Sequence, residues 1–226
     1  MLVSGATRLI SADSGYRTPT GLVTAAVGGR IEDRMHTSKR LFILRHAKSS
    51  WDDPGLDDHE RPLAPRGRRA VEAIASHVAA HGIEPDVVLC SSSRRTRETL
   101  AGIGVGGEHL IEQDLYSATC AETIERLRQL PASVSEAMLI GHNPTIQMVV
   151  LKLTNHDSDG ADDPARDEVK RKFPTGALAT LALDCEWAEL APGCARLEAF
   201  TSPKGFRAAP EGASAAPARL AWTAAR

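Results

Sequence analysis

Apolar residues along this chain form short unbroken runs separated by stretches of helical period. Leu41, Phe42, Ile43 and Leu44 follow one another without interruption, between Lys39-Arg40 and Arg45-His46. Such a run predicts a strand buried on both faces. Two further runs read the same way, at 86–90 and at 137–141. Between them, Val71, Ile74, Ala75 and Val78 fall at i, i+3, i+4 and i+7, predicting a helix over about 65–81 with Pro65 at its start and Gly82 at its stop. Ser91-Ser92-Ser93 is suited to cap a second helix over about 94–103. A weaker strand follows near 109–112. Thr119 and Glu122 then have capping-box spacing for a helix that ends before Pro131. Asn143-Pro144 is read as the cap and start of another helix, whose stripe is Ile146, Val149, Val150 and Leu153.

Two last runs, at 177–184 and 195–201, lie close enough in sequence to pair antiparallel. Strands that alternate with helices and finish in such a pair predict an α/β fold: a three-layer α/β/α sandwich, mostly parallel, with an antiparallel edge. Residues 39–204 are expected to form this domain, with 155–172 as a loose polar insertion holding a short helical piece. Residues 1–38 lack a period and a signal-peptide architecture, and are expected to be a disordered leader. Met35 stands just before the first strand, which leaves a start at that residue open. From 205 to 226, Ala, Pro and Gly predict a disordered tail.

Composition narrows the function classes. A net charge of −2 and 4% aromatics give neither a basic patch nor stacking platforms for nucleic acid, so no nucleic-acid partner is expected. No apolar run reaches the ~20 residues that span a bilayer, and no membrane partner is expected. The four cysteines show no C-x-x-C spacing and read as reduced thiols, placing the chain in the cytoplasm. Nothing in the composition bears on oligomeric state.

The chemistry gathers where strands end. The first delivers Arg45 and His46, the second leads to Arg94, Arg95 and Arg97, and the third leads to His142 and Asn143. Parallel strands bring these ends to one edge of the sheet, where open α/β folds hold ligands. Two helices also start there and direct positive dipole ends into the same space. Imidazoles, guanidinium groups and helix N-termini together suit a compact dianion, and phosphate fits best. His46 is placed as the nucleophile toward phosphorus, with Arg45 and Arg95 on the oxygens and His142 opposite. The guanidinium groups supply the positive charge, so no metal and no cofactor are expected.

Other features have plainer explanations. Arg94 and Arg97 suit solvated or ion-paired positions at a helix start, and Glu122 suits its capping box. His77 and His81 lack a third ligand for a metal. Gly102-x-Gly104-x-x-Gly107 follows a helix and precedes a strand, the reverse of the dinucleotide-binding order. Cys90 ends a strand before a turn, but the arginine a cysteine phosphatase needs at position 96 is Thr96. It reads as a core residue.

Leu44-Arg45-His46-Ala47-Lys48-Ser49, Arg61-Pro62-Leu63, the segment 91–99, Gly141-His142-Asn143-Pro144 and Lys172-Phe173-Pro174-Thr175-Gly176 together resemble the histidine phosphatases of the phosphoglycerate-mutase-like superfamily. More narrowly they resemble SixA-type phosphohistidine phosphatases, over about 40–204. The resemblance implies His46 as phosphate acceptor, a pocket completed by Arg45, Arg95 and His142, and Arg61 as a further, substrate-binding contact. It also implies a phosphorylated protein carrying phosphohistidine as substrate. A small phosphate ester, or phosphate binding without turnover, are the rival readings. The chain departs from the family at Ala47, where many relatives have Gly, and at Thr96, where Ala is common. The glutamate acid of the mutases has no counterpart; Leu115-Tyr116 stands in that neighbourhood. Asp52, Asp53, Asp57 and Asp58 are the open candidates for a leaving-group acid.

Overall fold

A computed structural model describes residues 39–154 and 163–206. The strands are β1 (Lys39–Arg45), β2 (Val87–Ser91), β3 (Glu108–Glu112), β4 (Glu136–Gly141), β5 (Leu178–Leu183) and β6 (Ala195–Thr201). The helices are α1 (Pro65–Ala80), α2 (Arg94–Ile103), α3 (Cys120–Arg128), α4 (Thr145–Leu153) and α5 (Pro164–Arg171). The sheet order is β3-β2-β4-β1-β5-β6. β3, β2, β4 and β1 are parallel, while β5 is antiparallel to both β1 and β6. The carboxyl ends of β1, β2 and β4 therefore share one edge, as the sequence predicts.

Alternation along the strands divides the core in two. Leu41 and Ile43, with Leu89, Leu139 and Leu181, face α3, α4 and α5 through Ile124, Leu127, Ile146, Val149, Val150, Leu153 and Val169. Phe42 and Leu44, with Val88, Cys90, Met138 and Ile140, face α1 and α2 through Val71, Ile74, Val78, Leu100 and Ile103. The three-layer sandwich follows directly from central strands whose runs at 41–44, 87–90 and 137–140 are apolar at every position.

Two capping expectations are corrected. Ser93 occupies the cap position of α2, but its hydroxyl bonds Thr96 Oγ1 at 2.8 Å and not a helix amide. At α4 the cap residue is Pro144, and the Asn143 amide instead donates to Gln147 Oε1 (2.9 Å) and the Phe173 carbonyl (3.2 Å). In both cases a tertiary partner outbids the local one. The Thr119–Glu122 capping box forms as the spacing predicts. α5 is the helical piece expected in the polar insertion, whose residues 155–162 lie outside the described residues, as do the leader 1–38 and the tail from 207. Phe206, which composition assigns to the tail, is buried among the α1-side residues with its ring against His77.

Candidate active site

The end of β1 is fixed on three sides. The His46 amide donates to the Gly141 carbonyl at the end of β4 (3.2 Å), and the Arg45 amide to the Ala177 carbonyl (3.0 Å). The Gly176 amide donates to both the Arg45 and His46 carbonyls, at 3.0 and 3.1 Å. Gly176 makes that reach with φ +79°, a conformation that side chains disfavour. The Ala47 amide donates to Thr99 Oγ1 on α2 (3.0 Å), and Thr99 in turn donates to the Arg95 carbonyl (2.6 Å). Three segments distant in sequence thus hold one residue, His46.

The rings of His46 and His142 lie 5.0 Å apart. His46 Nδ1 meets the Ala47 carbonyl at 2.8 Å, which fixes the tautomer with hydrogen on Nδ1 and leaves the Nε2 lone pair free. His142 Nε2 meets Ser91 Oγ at 2.9 Å, and its Nδ1 is buried without a partner among the described residues. Burial first, and then the neighbouring His142, Arg95 and Arg45, hold the His46 pKa down to about 3. Burial and Arg95 lower that of His142 to about 4. Both rings are neutral near pH 7, as a nucleophile must be.

The arginines meet at these rings. Arg45 Nη1 donates to the Phe173 carbonyl at 2.7 Å, while its buried Nε has no partner among the described residues. Burial and Arg95 lower the Arg45 pKa. Arg95 is buried and donates to Asp58 twice, Nη1 to the backbone carbonyl at 2.5 Å and Nη2 to Oδ2 at 3.0 Å. Arg61 Nη1 donates to the other oxygen, Oδ1, at 2.6 Å. The rest of Arg61 serves the loop: Nε to the Ser50 carbonyl, Nη2 to Ser49 Oγ, and the Trp51 ring centre 3.1 Å from its central carbon. Contact between Arg61 and a phosphate would exchange its bond to Asp58.

The structure therefore brings His46, His142, Arg45 and Arg95 together, and joins Arg61 to them through Asp58. Among the four loop acids, only tertiary structure distinguishes Asp58; its i, i+3 spacing to Arg61 is the one hint in the sequence. Tyr116, which the sequence marks only as standing near the place of the mutase acid, donates its hydroxyl to Asp58 Oδ2 at 2.7 Å and sets its ring edge-on to His142 at 5.5 Å. The Lys172–Gly176 match supplies backbone: Phe173 gives its carbonyl to Arg45, and Gly176 gives its amide to β1. The plainer readings stand as well. Arg94 pairs with Glu98 at 2.8 Å, and Arg97 lies 3.9 Å from Glu60. Cys90 is fully buried with its thiol pushed up to about 12.

Fold and site define an α/β protein with two neutral histidines and a guanidinium cluster at the carboxyl edge of its sheet. The model of the histidine phosphatase superfamily (branch 1) matches residues 41–115. An uncharacterized protein of Mycobacterium tuberculosis is 35% identical over 161 residues, which are 71% of this chain and all of the relative. SixA from Nakamurella multipartitia, assigned as a phosphohistidine phosphatase, superposes with a TM-score of 0.67 at 33% identity, covering 74% of this chain and 96% of that one. SixA from Agrobacterium tumefaciens, with the same assignment, gives 0.62 at 27% identity over 74% and 99%. The chain belongs to the histidine phosphatase superfamily, in its SixA-like branch, and phosphatase chemistry is what that class performs. Among the described residues, no helix is long and apolar enough to cross a membrane.

Proposed function

We propose that this protein is a metal-independent phosphatase that forms a phosphohistidine intermediate on His46 and removes phosphate from phosphohistidine carried on another protein. The observation that carries the reading is the pair of neutral imidazoles 5.0 Å apart beside Arg45 and Arg95. His46 Nε2 attacks phosphorus while Nδ1–H stays on the Ala47 carbonyl, so the positive charge that develops on the ring is met by a fixed dipole. Arg45 and Arg95 hold the equatorial oxygens, and charge neutralisation with alignment does most of the catalytic work. His142 donates from Nδ1 to a phosphoryl oxygen when Ser91 supplies the hydrogen at Nε2. Water then releases phosphate from His46. The likeness to the two SixA proteins supports the substrate class.

The test is turnover by the purified protein of a histidine-phosphorylated carrier protein, set against sugar phosphates and nucleotides, with EDTA present throughout. Release of phosphate from the carrier, undiminished by EDTA, is the expected result. Turnover of the small esters alone would replace the protein substrate with a small molecule. Activity that EDTA removes and a metal ion restores would end the metal-independent reading.

A further inference from the structure

Every phosphoryl transfer to His46 must also dispose of a leaving group, and none of the residues assigned so far supplies its proton. We propose that Asp58 protonates the leaving atom and then takes a proton from the water that frees His46. The inference rests on the reading of His46 as nucleophile. Its ground is geometric. The Asp58 carboxylate sits on the fork of Arg95, bonded by Nη2 at 3.0 Å, by Arg61 at 2.6 Å and by Tyr116 at 2.7 Å. It thus stands where a phosphoryl oxygen would claim the same guanidinium. Its side chain is half exposed, while Arg95 and His46 are buried. The neighbouring acids are turned elsewhere: Asp53 accepts from the Gly55 amide and Asp57 from the His59 amide.

Hydrogen bonds keep Asp58 ionised, through the Tyr116 hydroxyl first and then Arg61 and Arg95. A phosphate dianion that takes the Arg95 fork removes one of these partners and sets a like charge beside the carboxylate. Both changes favour its protonated form. The charged and titratable groups around it are His59, Glu60 and Arg61 on its own turn, Arg95 on α2, Tyr116 after β3 and His142 after β4. In the first step the P–Nε2 bond to His46 forms and the bond from phosphorus to the leaving atom breaks. The leaving atom's electron pair takes the Asp58 proton. In the second, the carboxylate accepts a proton from water as its oxygen attacks phosphorus, and the P–Nε2 electron pair returns to His46. Protons balance over the cycle.

The experiment is kcat for a series of aryl phosphates from 4-nitrophenyl to phenyl, in the parent and in Asp58→Asn, which keeps a side-chain oxygen for the Arg and Tyr donors. The parent is expected to depend weakly on the leaving group. In Asp58→Asn, phenyl phosphate should fall by about 100-fold or more and 4-nitrophenyl phosphate by less than about 5-fold, the range general acid catalysis contributes. An equal loss across the series, no loss at all, or an equally steep dependence in the parent would each overturn the proposal. As a second variant, Tyr116→Phe removes one hydrogen bond from the carboxylate. It should move the alkaline limb of the phenyl phosphate kcat profile to higher pH; an unmoved limb counts against Asp58. Asp58→Asn should still form a phosphoenzyme from 4-nitrophenyl phosphate. A parent that forms none from either 4-nitrophenyl phosphate or a phosphohistidine protein would instead refute His46 as nucleophile, so the two failures are distinct.

Discussion

Neutrality of one imidazole is what the catalytic reading asks of His46, and the site supplies it through burial, with three neighbouring groups that disfavour its protonation. Arg95 and Arg97 sit two residues apart on the same helix, yet their surroundings differ. Arg95 is buried at the rings, whereas Arg97 is exposed near Glu60. Arg95→Ala is therefore expected to reduce turnover by about 100-fold or more, the scale of losing one preorganised charge donor. Arg97→Ala should change it by less than about 2-fold, since exposed pairs are weak. Initial rates on one phosphorylated substrate check this, and the reverse ranking would mean that α2 presents a different arginine. Arg45, His46 and His142 were legible in the sequence because each closes or follows an apolar run that reads as a strand, and Arg95 was separated from Arg94 and Arg97 by the family's spacing to Ser91 and Thr99. Asp58 was not singled out, because its distinction from Asp52, Asp53 and Asp57 lies in partners 37 and 58 residues away.

At the scale of elements, the loop after β1 is held by α1. Gly67, in the first turn of that helix, lies so close to Lys48 that an added Cβ would stand 2.1 Å from the Lys48 carbonyl oxygen. That carbonyl already accepts from the Ala64 amide at 2.9 Å, so backbone and not a flexible side chain would have to move. Gly67→Ala is expected to cost about 1–3 kcal/mol, as overpacking does, and to lower turnover by shifting the segment that follows His46. Urea unfolding measures the first effect and kcat the second. Unchanged values of both would mean the helix can slide away freely. The strands, the antiparallel pair and the Thr119–Glu122 box were readable because local pattern and final structure agree there. The caps assigned to Ser93 and Asn143 were not, since their side chains are claimed by Thr96, Gln147 and Phe173. A cap preference is worth about 1 kcal/mol, and a buried tertiary bond can exceed it.

Among the described residues, two apolar layers enclose the sheet, and His46, His142, Arg45 and Arg95 gather at one edge of it. Burying neutral histidines there ties stability to pH. His46 binds its proton at about 3 in the folded chain and His142 at about 4, against 6.5 as the ordinary value. Above pH 6.5 neither state holds these protons and they exert no pull. As pH falls below 6.5 the unfolded chain takes them up and the folded chain does not, so stability drops by up to about 1.4 kcal/mol per pH unit for each histidine. His77, lowered by burial and by His81, adds in the same direction. Asp58 acts oppositely to a raised acid: its folded pKa is depressed, so its contribution is lost only below its ordinary 3.8. Urea midpoints should hold steady from pH 8 to 7 and decline between about 6.5 and 4.5. The decline should be shallower in His46→Asn. A slope unaltered by that substitution would mean that the ring titrates normally in the folded chain.

The central claim is that phosphorus becomes bonded to His46. A single turnover with a 32P-labelled phosphohistidine protein, quenched within milliseconds and followed by peptide mapping, reads that bond directly. The account predicts label on the peptide containing His46, stable in alkali, lost in acid, and absent from His46→Ala. Full turnover by His46→Ala, or label fixed on any other residue, would contradict it.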